Sequence, residues 1–185
     1  MGSLREVGPG WTVREFRELP EGTRCQLIEG ELVMSPAPRF FHQRIVLRLA
    51  HMILSFLDRN PGVGTVVVSP IDVYLTETDA YQPDVVFVVE GGRAAIREDG
   101  VHGAPALVIE VLSPTSGKHD LGRKKDVYEA RGVEEYWVVD VENCQIYVFR
   151  FPEGEDYQSE TIVREGNLTP LSFEAIAVPV ERFFH

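Results

Sequence analysis

Cysteine is scarce in this sequence, and its scarcity excludes two classes of protein. The chain has 185 residues and two cysteines, Cys25 and Cys144. Two cysteines are too few for a disulfide framework, and their spacing is not that of a zinc site. We therefore predict structural roles for both.

Long apolar runs are also missing. No apolar stretch reaches the roughly 18 residues of a membrane-spanning helix, and the start of the sequence lacks the pattern of a signal peptide. We predict from this a cytoplasmic protein with no membrane partner. Hydrophobic residues still make up 44% of the sequence, which is typical of a globular chain. At this length we expect a single domain over residues 1–185 that buries roughly 70% of its unfolded surface.

Positive charge is the third thing in short supply. The formal net charge is −11, whereas proteins that bind duplex DNA usually have a basic face. This acidity disfavours tight nonspecific DNA binding but leaves room for a site in which a bound cation offsets the carboxylates. Basic residues are concentrated in one predicted helix and at one end of an earlier one: Lys118, Arg123, Lys124, Lys125 and Arg131, with Arg39, Arg44 and Arg48.

Two carboxylates lie in strands that are otherwise apolar. Asp84 precedes a run of valines and a phenylalanine, and Glu110 lies inside the run from Ala106 to Leu112. A buried carboxylate costs several kcal/mol unless it is paired or binds a metal. We therefore predict that Asp84 and Glu110 belong to one site.

A divalent cation is the natural occupant of such a site. Two carboxylates about 4 Å apart repel each other by about 4 kcal/mol at an effective dielectric constant of 20. A bound Mg²⁺ or Mn²⁺ replaces this repulsion with attraction. The predicted cofactor is therefore Mg²⁺ or Mn²⁺.

A lysine follows on the next predicted helix, from Lys118 to Arg131. At about 100° per residue, Lys124 points inward, in an arc bounded by Leu121 and Val127, whereas Lys125 lies at the margin. An inward ammonium on the helix after the strand of Glu110 can approach a metal-bound water or a phosphate. The pattern is typical of a hydrolytic site, with Lys124 as its catalytic lysine.

The rest of the sequence predicts an α/β scaffold. Thr12 and Glu15 form a capping box for a short helix that ends near Leu19, and a long helix is predicted over residues 39–58. Strands are predicted near residues 25–34, 63–69, 70–75, 84–89, 105–112, 135–140, 145–151 and 157–163. Residues 91–103 read as a long loop. Helices interleaved with strands predict a central mixed sheet flanked by helices.

Several segments together resemble a known family. They are Leu27-Ile28-Glu29-Gly30-Glu31-Leu32, Ser35-Pro36-Ala37-Pro38 with His42, Pro83-Asp84, Glu110-Val111-Leu112-Ser113-Pro114, Asp120 with Lys124 and Tyr128, and Gly132-Val133-Glu134-Glu135-Tyr136-Trp137. In this order, over roughly residues 19–150, they are similar to the Uma-two family of candidate restriction endonucleases in the PD-(D/E)XK nuclease superfamily.

The resemblance implies a restriction-endonuclease-like fold and a metal-dependent endonuclease. Asp84 and Glu110 are the implied metal ligands, with the carbonyl of Val111 as a third. Lys124 takes the place of the usual lysine, since the position two residues after the glutamate is Leu112. Gln26 stands where the family usually has a glutamate, which puts in doubt an acidic ligand from the first strand.

Other residues allow two interpretations. His42 is either a ligand, proton carrier or phosphate contact, or a histidine hydrogen-bonded beneath a loop. Asp120 fits a helix N-terminal residue favoured by the macrodipole better than a catalytic one. Tyr128 fits the core, with its hydroxyl near the lysine, and Tyr136-Trp137 fits either the core or a subunit interface.

We therefore predict a metal-dependent nuclease whose partner is nucleic acid, with DNA expected over RNA. The alternative is a catalytically inactive metal-binding or structural protein of the same fold. A homodimer is expected, because cutting a duplex needs two active sites or two binding events. Its interface is expected in the apolar stretch from Leu171 to Phe184, unless that stretch folds back onto its own sheet.

Overall fold

The computed structural model describes residues 10–20, 22–113, 119–150, 159–172 and 177–184. The elements in chain order are α1 (Val13–Phe16), β1 (Cys25–Ile28), β2 (Glu31–Met34), α2 (Phe40–Leu57), β3 (Gly64–Val68), β4 (Val73–Tyr74), β5 (Ala80–Tyr81), β6 (Val85–Val89), β7 (Ala95–Arg97), β8 (Gly100–His102), β9 (Leu107–Val111), a π-helix (His119–Lys124), α3 (Lys125–Ala130), β10 (Glu135–Asp140), β11 (Gln145–Arg150), β12 (Ser159–Val163), β13 (Asn167–Leu168), β14 (Val178–Pro179) and α4 (Glu181–Phe184).

The described strands form two mixed sheets and one short strand pair. The first sheet has the order β2-β1-β5-β4-β8-β7, and the second has the order β12-β11-β10-β9-β6-β3. In the second sheet β9 and β10 are parallel, and β9 and β6 are antiparallel. β13 pairs with β14. The predicted central mixed sheet flanked by helices is confirmed and corresponds to the second sheet, whereas the first sheet is a separate sheet that the sequence did not indicate.

Alternate residues of the second sheet pack into different cores. Leu107 and Ile109 of β9 contact the cluster that contains the buried face of α2. Val108, between them, contacts a cluster with Ile28 of β1 and Tyr128 of α3. The second sheet therefore lies between α2 on one face and the first sheet with α3 on the other, as expected for strands with a two-residue side-chain period.

The long helix α2 matches its prediction closely. Its buried residues recur at helical spacing and face the second sheet. They are Ile45, Val46, Leu49, Ile53 and Phe56. The capping box of α1 is also present, since the Thr12 side chain accepts from the Glu15 N–H and the Glu15 carboxylate accepts from the Thr12 N–H.

Two predicted elements differ from those observed. The single strand predicted over residues 25–34 is a hairpin, because Glu29 and Gly30 have φ values of 50° and 78° and make the tight turn that positive φ at both positions favours. The loop predicted over residues 91–103 contains the paired strands β7 and β8. A strand of three exposed residues such as β7 gives little periodic signal.

The predicted lysine helix is present in part and begins as a π-helix. Lys118 and the predicted turn over residues 114–117 lie outside the described residues. Residues 119–124 are in the π conformation and residues 125–130 are α-helical. The simple 100° rule therefore applies to α3 only, although its consequence for Lys124 holds.

The proposed interface segments are largely buried. Val180 and Phe183 are fully buried and pack in the cluster with α2, and Tyr136 and Trp137 are buried in the second sheet. Phe173 and Ile176 lie outside the described residues. Val180 and Phe183 therefore follow the second arrangement predicted for the stretch from Leu171 to Phe184, in which it folds back onto its own sheet. Tyr136-Trp137 belongs to the core, which is one of the two interpretations given for it. The homodimer stays a prediction. Of the helices in the described ranges, none has the length and apolar character needed to cross a membrane.

Candidate active site

Asp84 and Glu110 meet because their strands are antiparallel neighbours. Val85 of β6 pairs with Ile109 of β9, so the next positions along the ladder, Asp84 and Glu110, face each other. Directly opposed residues of antiparallel strands project to the same face of the sheet. Here that face is the one covered by the first sheet and α3.

Asp84 is held by two contacts to the same oxygen. Its Oδ2 accepts a hydrogen bond from the backbone N–H of Val111 at 2.7 Å and lies 3.1 Å from Nε2 of His42. Within the described part of the chain, Nδ1 of His42 is buried without a hydrogen-bond partner. His42 thus orients Asp84, a contact that the sequence left open between two interpretations.

Glu110 lies deeper than Asp84. Its Oε1 accepts hydrogen bonds from Nζ of Lys124 at 2.8 Å and from the hydroxyl of Tyr128 at 3.1 Å. Burial raises the pKa of the Glu110 carboxyl, Lys124 opposes this, and the negative charges of Asp120 and Asp84 raise it further. Burial and the two neighbouring carboxylates therefore make a charge on Glu110 costly, and the Lys124 ammonium offsets only part of that cost.

Lys124 lies between two buried carboxylates. Besides Glu110 it contacts Oδ1 of Asp120 at 3.0 Å, and its side chain is 7% exposed. Burial lowers the pKa of the Lys124 ammonium, but Glu110 and Asp120 outweigh this and leave it above its usual value. The predicted inward orientation of Lys124 is confirmed.

Asp120 has a larger part in the site than the sequence indicated. It does lie in the first turn of the π-helix, but its side chain is 2% exposed and paired with Lys124. Its backbone carbonyl accepts a hydrogen bond from the hydroxyl of Tyr136 at 3.0 Å. The i to i+4 spacing of Asp120 and Lys124 was the available signal for this pair.

Tyr128 lies in the core, as predicted, and its hydroxyl donates to the same oxygen of Glu110 that Lys124 contacts. It is fully buried, and its ring is 5.3 Å from that of Tyr81 and 4.9 Å from that of Tyr136. This aromatic packing fixes the direction in which Tyr128 donates to Glu110.

An open cleft leads to these residues. It has a volume of about 580 Å³. The lining comes from the segment between β2 and α2, the start of α2, and the strand ends of the site: Gln26, Ile28, Val33, Met34, Ser35, Pro36, Ala37, Pro38, Arg39, His42, Ser69, Gln82, Asp84, Glu110, Val111, Ser113, Asp120 and Lys124. Sequence reasoning gave no sign that Met34, Ser69 and Gln82 would reach the cleft.

Gln26 occupies the place of the missing carboxylate with a neutral amide. Its Nε2 donates to Oγ of Ser35 at 3.2 Å, and its Oε1 accepts from the backbone N–H of Gln82 at 3.0 Å. Both ends of the amide are therefore bound to the protein. Gln26 lines the cleft as a structural bridge.

The ligand chemistry available for a metal is limited but suits magnesium. Among the described residues, no three His, Cys, Asp or Glu side chains are grouped closely enough to hold one ion. Mg²⁺ is commonly bound by one or two carboxylates, with water completing its shell. The opposed carboxylates of Asp84 and Glu110 meet that requirement, and they do not meet the requirement of a structural zinc site.

Two basic residues of the segment from the π-helix to α3 contact other parts of the protein. Lys125 is half-buried, with Nζ 5.2 Å from the centre of the Phe149 ring. Arg123 is paired with Glu29 and Glu31. Part of the positive charge counted in the sequence is therefore used inside the fold.

Comparisons with known proteins identify the fold and the family of the chain. Five chains among the solved structures match this one. One of them is the crystal structure of a "putative nuclease" belonging to DUF820 from Anabaena variabilis, with 20% sequence identity and a TM-score of 0.77 over 94% of this chain and 97% of that one. The protein therefore has a restriction-endonuclease-like fold.

The family model for Uma-two, described as "putative restriction endonuclease", matches residues 13–181. No curated protein matches the sequence. Because the family match covers most of the chain, the protein belongs to the Uma-two family. The resemblance found in the sequence is confirmed, and the nuclease class is the one this family is assigned.

Proposed function

We propose that the protein is a divalent-metal-dependent nuclease that hydrolyses phosphodiester bonds of nucleic acid, with DNA as the expected substrate. The observation that supports this most directly is the meeting of Asp84, Glu110 and Lys124 at one end of an open cleft. Two opposed carboxylates beside a buried ammonium are suited to a cation and an anionic phosphate at the same place.

Asp84 and Glu110 would hold Mg²⁺ or Mn²⁺, with the carbonyl of Val111 as a further ligand. When bound, the cation supplies Lewis acidity and lowers the pKa of water. His42 keeps Asp84 in place through its 3.1 Å contact. Tyr128 does the same for Glu110 through its hydroxyl.

Lys124 would act on the phosphate as a charged donor. Its ammonium pKa is above the ordinary value, so at neutral pH Lys124 has a proton to donate and does not accept one. In this role it stabilises the negative charge that develops on the phosphate oxygens in the transition state. Asp120, paired with the same ammonium, positions it.

The alternative is a metal-binding or structural protein without catalysis. Two observations favour this alternative: the neutral Gln26 supplies no charged ligand for a cation, and the net charge of −11 disfavours the binding of a polyanion. The two functions differ in one measurable property, since only the nuclease turns over a substrate.

The test is a cleavage screen with matched variants. Plasmid, single-stranded DNA and RNA are incubated with Mg²⁺ or Mn²⁺, and Mn²⁺ binding is measured by calorimetry. We expect cleavage in wild type and loss of both cleavage and Mn²⁺ binding in Asp84→Asn and Glu110→Gln. Lys124→Ala should slow single-turnover cleavage by roughly 10² to 10³. Lys125→Ala is the matched control, because Lys125 contacts the Phe149 ring and is not among the residues that line the cleft, and it should leave the cleavage rate close to that of wild type. Mn²⁺ binding without cleavage of any substrate would favour the alternative.

The proposed assembly is a homodimer, which would bring two sites to a duplex. Light scattering on the full chain tests it. A monomer would remove the dimer from the proposal and favour nicking or single-strand cleavage.

A further inference from the structure

The start of helix α2 has two exposed phenylalanines beside the candidate site. Phe40 is 75% exposed and Phe41 is 59% exposed. Their rings form an edge-to-face pair with centroids 5.6 Å apart. Two adjacent exposed aromatic side chains form a contiguous apolar surface, a feature that can take part in contact with a partner or ligand.

The position of this pair ties it to the cleft. Phe40 and Phe41 lie between Arg39 and His42, both of which line the cleft. His42 in turn contacts Asp84, 3.1 Å away. Phe40 and Phe41 do not line the cleft themselves, so a strand whose phosphate reached Asp84 would meet them with its neighbouring nucleotides at the edge of the cleft, beside Arg39 and His42.

The charge around the pair fits a polyanion. The whole chain has 29 acidic residues, yet α2 contains none over Phe40–Leu57. The guanidinium of Arg44 lies 4.9 Å from the centre of the Phe41 ring, and Arg39 precedes the pair. Aromatic rings flanked by arginine are one means by which proteins bind single-stranded nucleic acid, since rings stack on bases and arginines contact phosphates.

A second copy of the chain is the competing occupant. Leu47 and Leu54 are also exposed, and with Phe40 they recur every seven residues along α2. However, Phe41 is about 100° away from this stripe, and α2 offers no acidic residue to pair with its own arginines in a symmetric contact. The phenylalanine pair is therefore explained better by an anionic ligand than by a second α2.

We propose that Phe40 and Phe41 stack on unpaired bases of the substrate, so that the protein prefers single-stranded or locally unpaired nucleic acid. This rests on the proposed nuclease function and specifies its substrate class. Base-paired DNA shields the faces of its bases by stacking, so a duplex cannot use such a platform without opening.

The test compares three labelled ligands by fluorescence anisotropy in Ca²⁺: a thymidine oligonucleotide, an abasic strand of the same length, and a duplex. Wild type should bind the thymidine strand most tightly. Phe40→Ala and Phe41→Ala should weaken that binding by roughly 5- to 100-fold and leave abasic binding unchanged. Leu47→Ala, a substitution at an exposed position of the same helix, should leave the binding of both the thymidine strand and the abasic strand unchanged. Phe41→Trp should be quenched by the thymidine strand and not by the abasic one.

Other results separate the two proposals. Four results would each overturn the stacking role. In two of them the alanine variants lose thymidine and abasic binding equally, or lose none. In the other two no strand binds at all, or the molar mass of the alanine variants changes. Lys124-dependent cleavage that is insensitive to both phenylalanines would do so while leaving the nuclease intact. Phenylalanine-dependent binding without cleavage under any metal would retain the stacking role and refute the nuclease.

Discussion

Replacing Lys124 with methionine should strongly destabilise the fold, whatever the protein cleaves. The ammonium lies 2.8 Å from Oε1 of Glu110 and 3.0 Å from Oδ1 of Asp120. At an effective dielectric constant of 20, each attraction amounts to about 6 kcal/mol before desolvation is subtracted. Methionine is also unbranched and is only one heavy atom shorter than lysine, so it fills most of the same space while removing the ammonium with its charge and its hydrogen-bond donors. Packing is therefore a minor part of the change.

The size of the expected loss of stability depends on the buried carboxylates that remain after Lys124 is replaced. Breaking a buried ion pair costs about 3–5 kcal/mol, because a buried charge loses its partner. Burial already raises the pKa of Glu110, so this carboxyl can take up a proton when Lys124 is gone, which favours the lower end. At about 2–4 °C per kcal/mol, the melting temperature should fall by roughly 6–20 °C.

Urea denaturation of wild type, Lys124→Met and Lys125→Met measures this directly. Lys125 is half-buried above the Phe149 ring, and its loss should cost less than about 1 kcal/mol. The double variant Lys124→Met with Glu110→Gln should recover part of the loss, because one buried carboxylate is removed with its partner. A loss below about 1 kcal/mol for Lys124→Met, or equal losses for both lysines, would refute the buried network.

Two further predictions concern the scaffold. Phe183→Ala should lower the free energy of unfolding by about 3–5 kcal/mol, because Phe183 is fully buried against α2 and the substitution leaves a cavity. Leu171→Ala, at a site that is 40% exposed, should lower it far less in the same urea titration. Glu135→Ala should lower the stability measured by thermal melting by about 3 kcal/mol. The reason is that the buried Glu135 carboxylate accepts hydrogen bonds from Nε of Arg150 at 2.9 Å and from the backbone N–H of Leu171 at 2.7 Å. A loss of stability no greater than that of Glu142→Ala, at an exposed site, would contradict this prediction.

The sequence alone was sufficient to predict features that depend only on residues close together in the chain. Helix α2 has an unbroken apolar stripe at helical spacing, and its predicted ends differ from the observed ones by one residue. The carboxylates Asp84 and Glu110 stood out because their neighbours along the chain are apolar. The family resemblance rested on such local segments, and it pointed to the same pair and to Lys124.

The sequence was insufficient where the outcome depended on contacts between distant segments. From the sequence, the apolar C-terminal segment could pack against its own sheet or against another chain, because hydrophobicity does not specify which surface is covered. In the fold, Val180 and Phe183 are buried in the core of their own chain. Weak strands such as β7 and β8 form because the first sheet offers them an edge through β4.

The site itself was decided in the same way. That Asp84 and Glu110 face each other follows from the pairing of β6 with β9, and strand register is a tertiary property. The hydrogen bond from Tyr128 to Glu110 and the contact of His42 with Asp84 join residues 18 and 42 positions apart in the chain. Local sequence determined which side chains were available for chemistry, and only the packed sheet, with α2 on one face and α3 on the other, determined which of them meet.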